Sequence, residues 1–152
     1  MAIEIDGTGS ITGISAGGLP DGTVDTDVLA ANAVTEAKLG SDEQKGLAKA
    51  WVNFNGTGTV AIRSSFNVAS VTDNGIGDYT ISFTNSFSDT NYCVVMGGYN
   101  SNSGDGDWIA VGSNTASNYP AGITTGSVRI NCYHSSGSVQ DQQALYVAVF
   151  SN

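Results

Sequence analysis

The stretch DYTISFT, residues 78–84, decides the fold class, because apolar and hydroxyl-bearing side chains alternate along its whole length. Tyr79, Ile81 and Phe83 fall on one face of an extended chain, and only Thr and Ser fall on the other. Alternation with a period of two is typical of a strand that is buried on one side. The stretch therefore predicts a β-strand with one face in a hydrophobic core.

Similar runs occur on both sides of this stretch, separated by clusters of turn-forming residues such as VTDNGIGD at 71–78. The last run, ALYVAVF at 144–150, is apolar on both faces, which indicates burial on both sides or a place in a subunit interface. Short strands without intervening helices predict an antiparallel β-sandwich or jelly-roll-like domain over residues 51–152. The predicted strands are 50–54, 59–68, 78–84, 91–99, 107–113, 127–134 and 144–150.

The preceding segment, GTVDTDVLAANAVTEAKLG at 22–40, is one short unit written twice. Val24 and Leu29 of the first copy are matched ten residues later by Val34 and Leu39. The segment has too few apolar groups to build a core within one chain. Because association would remove these side chains from water, we expect a symmetric oligomer.

Short helical turns are expected in this connector. Asp25 and Thr35 follow the two Val residues and are predicted to cap a turn of helix each. SDEQKGLAK at 41–49 predicts a further turn, with Ser41 as its cap and a Gly that interrupts it. Residues 1–21 are rich in Gly, suit only a short strand near residues 3–5, and are expected to fold on something else.

Composition excludes several classes of protein. Only 12% of residues are charged, about half the usual share, and 20 are Gly, which is typical of β structure with many turns. The net charge of −9 argues against binding to nucleic acid or to anionic lipid. No apolar run approaches the ~20 residues of a membrane span, and the N-terminus does not resemble a secretory signal. We expect a soluble protein made in a cytoplasm.

Two cysteines, Cys93 and Cys132, fit no metal-binding spacing and lie in strand-like runs. We expect two buried, reduced thiols, with a disulfide between two strands as the alternative.

The sequence offers little for catalysis. His134 is the single histidine, it lies in a polar HSSGS context, and no Glu follows Glu43. No nucleophile elbow, phosphate-binding loop or zinc-protease motif is present. We expect no enzymatic activity, no cofactor and no metal site.

The region richest in recognition chemistry is YNSNSGDGDWIAVGSN at 99–114. Its Asn and Asp oxygens could suit a hard cation, but their spacing is not that of an EF-hand, and a solvated turn is the alternative. Flat aromatic rings beside amides and carboxylates also suit a sugar site, although a Trp at a strand start often belongs to a core. A second polar loop follows at 113–122, and a third at 131–143. The candidate receptor-binding residues are Tyr99, Asn100, Asn102, Asp105, Asp107, Trp108 and Tyr119.

Residues 5–40 resemble the connector repeats of tailed-bacteriophage fibre proteins, especially in the sequence motifs GLPDGTV, NAVT and AKL. Residues 49–84, KAWVNFNGTGTVAIRSSFNVASVTDNGIGDYTISFT, resemble the β domain that follows such connectors. The resemblance implies a homotrimeric virion structural protein with a C-terminal β head, which in this family commonly contacts the host surface. It carries over no catalytic residues.

The resemblance also implies an organisation in three parts. Residues 1–21 would dock on another virion protein, 22–50 would form a trimeric stem, and 51–152 would form the head. Long shafts are missing, so attachment to tail, collar, baseplate or capsid stays open. The head would bind a host surface glycan or protein; the alternatives are a structural capsid decoration, cement or collar fibre, and a polysaccharide depolymerase. The stem residues expected near the three-fold axis are Val24, Leu29, Val34 and Leu39.

Overall fold

A computed structural model of the chain describes residues 4–5, 11–12, 29–31, 33–101, 108–112, 122–134 and 136–151. The chain divides into two compact units, Met1–Gly40 and Ser41–Asn152. Val24, Asp25 and most of the predicted docking segment 1–21 lie outside the described residues. Within the described part of the chain, no helix is long and apolar enough to cross a membrane.

Two short strands and one turn of helix occur in the described residues of the first unit. Strand β1 (Glu4–Ile5) pairs antiparallel with β2 (Ile11–Thr12), which confirms the short strand expected near residues 3–5. A 3-10 helix covers Glu36–Lys38, so the helical turn predicted in the second copy of the repeat is confirmed. Thr35 precedes this helix in an extended conformation, but its side chain makes no capping hydrogen bond, and that part of the prediction is wrong.

Among the described residues of the repeat, no Val or Leu side chain is fully buried in the single chain. Leu29 is 44% exposed and Val34 is 58% exposed, whereas Leu39 is partly buried. Their position near a symmetry axis stays a prediction, and Val24 lies outside the described residues.

The second unit starts with helix α1 (Ser41–Lys45), which confirms the predicted helical turn, but Ser41 is the first residue of the helix and not its cap. A backbone turn at Gly46 follows it. Eight strands follow: β3 (Ala50–Asn55), β4 (Ala61–Phe66), β5 (Val68–Gly75), β6 (Asp78–Phe83), β7 (Cys93–Tyr99), β8 (Trp108–Val111), β9 (Ser127–Tyr133) and β10 (Ala144–Phe150).

These strands form two four-stranded antiparallel sheets. The first sheet has the order β4-β3-β10-β7, and the second sheet has the order β5-β6-β9-β8. A mainly β fold with two antiparallel sheets agrees with the prediction from the alternating runs.

One hydrophobic cluster lies between the two sheets, and both sheets contribute to it. Phe54 of the first sheet and Tyr79 of the second meet edge to face with ring centroids 5.3 Å apart, a favoured aromatic geometry. The sheets therefore pack face to face as a sandwich. The cluster consists of Ala50, Val52, Phe54, Tyr79, Ile81, Phe83, Tyr92, Val128, Ile130, Cys132, Leu145, Val147 and Val149.

The run at 59–68, expected as one strand, contains β4 and ends at Val68, the first residue of β5. The rest of β5 was not predicted as a strand, and β4 and β5 belong to different sheets. Asn67 lies between β4 and β5 with φ of 54°, a left-handed conformation that Asn tolerates better than most residues. Its side-chain amide donates to the carbonyls of Lys49 and Asn85, and its Oδ1 accepts the Asn85 N–H at 2.8 Å. These bonds hold the point where the chain passes from one sheet to the other.

The expected turn VTDNGIGD at 71–78 is much shorter than predicted. Strand β5 continues through Asp73 and Asn74 to Gly75, and only Ile76 and Gly77 form the turn. The strand accommodates these turn-forming residues because its pairing with β6 is irregular here, and the Asp73 carboxylate accepts the Gly75 N–H at 2.9 Å.

Strand β10 has the predicted bounds, but the single chain buries only one of its faces. Leu145, Val147 and Val149 are buried, whereas Tyr146 is 48% exposed. The alternative that its other face meets a subunit interface is not tested by the single chain.

Both cysteines are free, as expected, and Cys132 is fully buried. The expected burial of Cys93 is wrong. Its strand is apolar at each of its first four positions, so the sequence does not show which alternate set of side chains faces the core. Val94 and Met96 pack against the core, and this places Cys93 and Val95 on the outer face.

The sandwich has two ends that differ in their connections. At the proximal end the chain enters strand β3 at Ala50. The distal end is the opposite one, where β3 finishes at Asn55 and β7 finishes at Tyr99. Four connections meet there: 56–60, 76–77, the described part of the β7–β8 loop at 100–101, and 134–143.

Candidate functional site

The distal end is held together by residues 141–143, which we call the distal clamp. Asp141 carries the first of its contacts. The Asp141 Oδ1 accepts the Gly77 N–H at 2.7 Å and the Tyr79 hydroxyl at 2.8 Å. A residue that precedes β10 in the first sheet thus bonds directly to the turn and the strand of the second sheet. The clamp therefore ties the two sheets together at this end.

The Tyr79 hydroxyl also lies 2.8 Å from the carbonyl oxygen of Gly56. A hydroxyl has one proton, so Tyr79 donates to one of these two oxygens or divides the proton between them. Burial, and then the hydrogen bond with Asp141, raises the pKa of Tyr79 far above its ordinary value. The side chain is therefore a neutral, structural donor at every pH at which the protein would work.

The other two clamp residues form hydrogen bonds with residues at or next to the distal ends of β3, β4 and β7. The Gly56 N–H donates to the Gln142 carbonyl at 2.9 Å, and the Arg63 guanidinium donates to the Gln143 carbonyl at 2.6 Å. The Ser101 N–H donates to the Gln143 side chain at 3.3 Å. The distal end is thus a rigid base for the loops that leave it.

Two of the candidate binding residues stand on this base in different roles. Asn100 is only 9% exposed, and its amide donates to the Asp141 carbonyl at 3.1 Å, so it supports the clamp. Tyr99 is 59% exposed at the end of β7 and is accessible to a partner. Trp108 starts β8 opposite Tyr133, at the same end; its side chain lies outside what the structure describes.

The remaining candidates, Asn102, Asp105, Asp107 and Tyr119, lie outside the described residues. The bases of their loops can still be located. The loop at 102–107 leaves the distal end. The segment that includes Tyr119 leaves between Gly112 and Gly122, which bond to the Arg129 backbone at 2.8 and 2.7 Å. Arg129 lies on β9 four residues before Tyr133, the residue paired with Trp108, which is a distance of about 13 Å along the strand. The bases of the two candidate loops are therefore not together.

The outer face of the second sheet has a polar cluster that the sequence did not reveal. The Arg129 Nε donates to the Asp78 Oδ1 at 2.7 Å, and Arg129 Nη2 donates to the other carboxylate oxygen. The Asn74 amide bonds to both Asp78 and Thr80. The hydrogen bond from Arg129 lowers the pKa of Asp78, and the same bond raises the pKa of Arg129. The pair is satisfied internally and serves the sheet.

Part of the outer face of the first sheet is apolar by contrast. Four residues face each other across its four strands in the order Phe66, Trp51, Ala148, Val95. Tyr146 lies two residues from Ala148 on the same face. We call these five residues the aromatic face. The apolar character of 144–150 on both sides was the one signal in the sequence that pointed to it.

His134 makes its described hydrogen bonds within its own turn. Its Nδ1 lies 2.9 Å from the Ser136 hydroxyl and accepts the Ser136 N–H at 3.1 Å, and the Ser136 hydroxyl lies 2.9 Å from that of Ser138. These contacts order an exposed turn. Groups of three or more His, Cys, Asp or Glu side chains suited to a metal ion do not occur among the described residues. The expected absence of catalysis, cofactor and metal stays a prediction.

The distal end thus combines the hydrogen-bonded clamp, an exposed Tyr99 and the base of the loop at 102–107. Comparison of the chain with protein-family models, with curated proteins and with solved structures gives no match.

Proposed function

We propose that the protein is a bacteriophage virion fibre protein, a homotrimer whose C-terminal β head contacts the surface of the host cell. In this proposal residues 1–21 dock on another virion protein, 22–50 form the trimeric stem, and the head has a jelly-roll-like arrangement. The resemblance of residues 5–84 to fibre connectors and their β domains supports it.

The observation that carries the proposal is the contrast between connector and head. The head has a core of its own, whereas Leu29 and Val34 of the repeat remain 44% and 58% exposed in one chain. Exposed apolar groups at regular spacing are stabilised when copies of the chain cover them. Three-fold order comes from the resemblance alone.

The distal end is the part of the head proposed to meet the host. It lies at the opposite end of the sandwich from Ala50, where the chain enters strand β3. Tyr99 supplies an exposed ring, and rigid scaffolds that carry variable loops are common in recognition. A surface glycan or a surface protein would suit this end.

A binding assay tests the proposal with the intact chain and cells of the bacterium that the virus infects. We expect specific binding that Tyr99→Ala weakens by about tenfold, because truncated interface aromatics often cost this much. Asn91→Ala, at an exposed position near the proximal end, is the control and should bind as the unchanged chain does. An intact trimer that does not bind these cells would refute receptor binding.

The second candidate is a capsid decoration, cement or collar fibre with a structural role, favoured by the Gly-rich N-terminal segment. A cryo-EM map of the particle separates the two. Density for the chain at the tail tip or baseplate supports the host-binding role, and density over the capsid shell supports decoration.

A further inference from the structure

We infer that the aromatic face of the head packs against the other copies of this chain in the assembled protein. The inference rests on the proposed oligomer and deepens it, because it assigns a contact surface in the head in addition to the connector. It concerns the outer face of the first sheet, which the sandwich itself leaves uncovered.

The face is continuous across all four strands. Strand pairing places Phe66 next to Trp51, Trp51 next to Ala148, and Ala148 next to Val95. Phe66 and Val95 are each 55% exposed, and Trp51 is 38% exposed. Tyr146, at 48%, extends the apolar surface toward the distal end. Contiguous apolar surface of this kind on a folded domain usually marks a contact.

Charge favours a second copy as the occupant. The chain has a net charge of −9, so two copies repel each other wherever their carboxylates meet. None of the four strands β4, β3, β10 and β7 contains an Asp or Glu, and their one charged residue, Arg63, is bonded to the clamp and to β3. The second sheet carries Asp73 and Asp78 instead. The first sheet is thus the side of the sandwich on which acidic chains can approach closely.

The size of the face indicates how it acts. The whole outer side of the first sheet, with four strands about 4.8 Å apart and six residues long at about 3.3 Å per residue, spans on the order of 400 Å² of flat area, and the aromatic face is a part of it. A stable interface between separate proteins usually buries about 800 Å² per partner. The face is therefore too small to hold free chains together, and it closes only when the connector raises the local concentration of the heads.

The chain contains its own reporter for this contact. Cys93 pairs with Phe150 at the edge of the first sheet and lies two residues from Val95 on the same face. Its thiol belongs to an exposed residue in the single chain, whereas Cys132 is fully buried. A thiol reagent should therefore find one reactive group on a separate chain, none on an assembly that covers the face, and two on the unfolded chain.

The experiment combines light scattering with thiol titration by Ellman's reagent on the intact chain. We expect a trimer in which Cys93 reacts about tenfold or more slowly than in the urea-unfolded chain, since access limits thiol reactivity. A trimer with one freely reactive thiol overturns the inference and leaves the proposed trimer in place. A monomer with one reactive thiol overturns both.

Two matched variants are tested by the same measurement, the rate at which Cys93 reacts with the thiol reagent. Val95→Asp places a carboxylate on the aromatic face, and Thr72→Asp places one on the outer face of the second sheet; both positions are exposed and in edge strands. We expect Val95→Asp to release Cys93 to the rate of an open thiol, while Thr72→Asp leaves it protected. Equal protection in the two variants contradicts the inference.

Another occupant would give a different result. If Cys93 is open in the trimer and becomes protected only when host surface polysaccharide is added, then the face binds glycan, and self-association through it is refuted.

Discussion

Replacing Tyr79 by Phe tests whether the distal clamp stabilises the head. The change removes one oxygen atom and leaves the ring in place against Phe54, so packing is preserved. It deletes the hydroxyl that lies 2.8 Å from both the Asp141 carboxylate and the Gly56 carbonyl. The ring is fully buried, so water cannot easily take the place of the lost donor.

The expected cost follows from the acceptors. A hydrogen bond to a charged group contributes about 1.5–3 kcal/mol, and a bond between neutral groups contributes about 1 kcal/mol. Asp141 keeps its bond from Gly77, which limits the loss. We therefore expect Tyr79→Phe to lower the free energy of unfolding by about 2 kcal/mol, and the melting temperature by roughly 8 °C for a unit of this size.

Tyr92 provides the matched control. Its hydroxyl also lies near two acceptors, at 2.9 Å each, but both are the neutral backbone carbonyls of Thr124 and Ser127. Burial raises the pKa of Tyr92 to about 12, so this side chain is neutral as well. Urea unfolding of both variants should show a loss of about 1 kcal/mol for Tyr92→Phe. If Tyr79→Phe lowers the free energy of unfolding by no more than Tyr92→Phe does, then the Asp141 carboxylate adds no stability beyond that of a neutral acceptor, and the description of the clamp is wrong.

Two further predictions concern the second sheet and its turn. Arg129→Ala should cost about 1–3 kcal/mol at pH 7, less than for a fully buried pair because 27% of the Arg129 side chain is exposed. The pKa of Asp78 is lowered in the fold from its ordinary value of 3.8, so the stabilisation is present above that pH and is lost as the pH falls through the lowered value. The free energies of unfolding of the unchanged chain and of Arg129→Ala should therefore converge in acid. A difference between them that does not change with pH would contradict the pairing. Gly77→Ala should cost about 3 kcal/mol or more, since φ is +65° and a Cβ would lie 2.6 Å from the Cys132 carbonyl oxygen, whereas Gly58→Ala, with φ +63° and open space, should cost about 1 kcal/mol. Thermal unfolding compares the two Gly variants, and equal losses would show that the close approach at Gly77 does not matter.

The strands could be predicted from the sequence where apolar and polar residues alternate without interruption. Residues 78–84 and 127–134 alternate cleanly, and the structure places strands there within one residue at each end. Prediction of the buried face failed in the run that includes Cys93, because the residues on both faces of that strand are apolar. Alternation then does not show which of the two faces the core. It also failed at Asn67, since the change of sheet depends on side-chain bonds to residues 18 positions away in either direction.

The candidate site could be predicted only in part. Tyr99 and Trp108 were named as candidates because aromatic residues flank a polar loop, and their role in binding stays a prediction. The clamp was missed, since Asp141 and Tyr79 are 62 residues apart and belong to different sheets, so they meet only when the two sheets pack together. Asn100 looked like a binding residue because its sequence context is polar, and only the structure reveals the buried carbonyl that its amide contacts.

The central claim is that chains associate through the repeat to form a trimer, and the mass of the intact chain in solution tests it most directly. Multi-angle light scattering should give three times the chain mass of 15.5 kDa, independent of concentration across the micromolar range. Val34→Asp, which places a charge at the most exposed described apolar position of the connector, should reduce this to one chain. A single-chain mass for the unchanged protein would contradict the account.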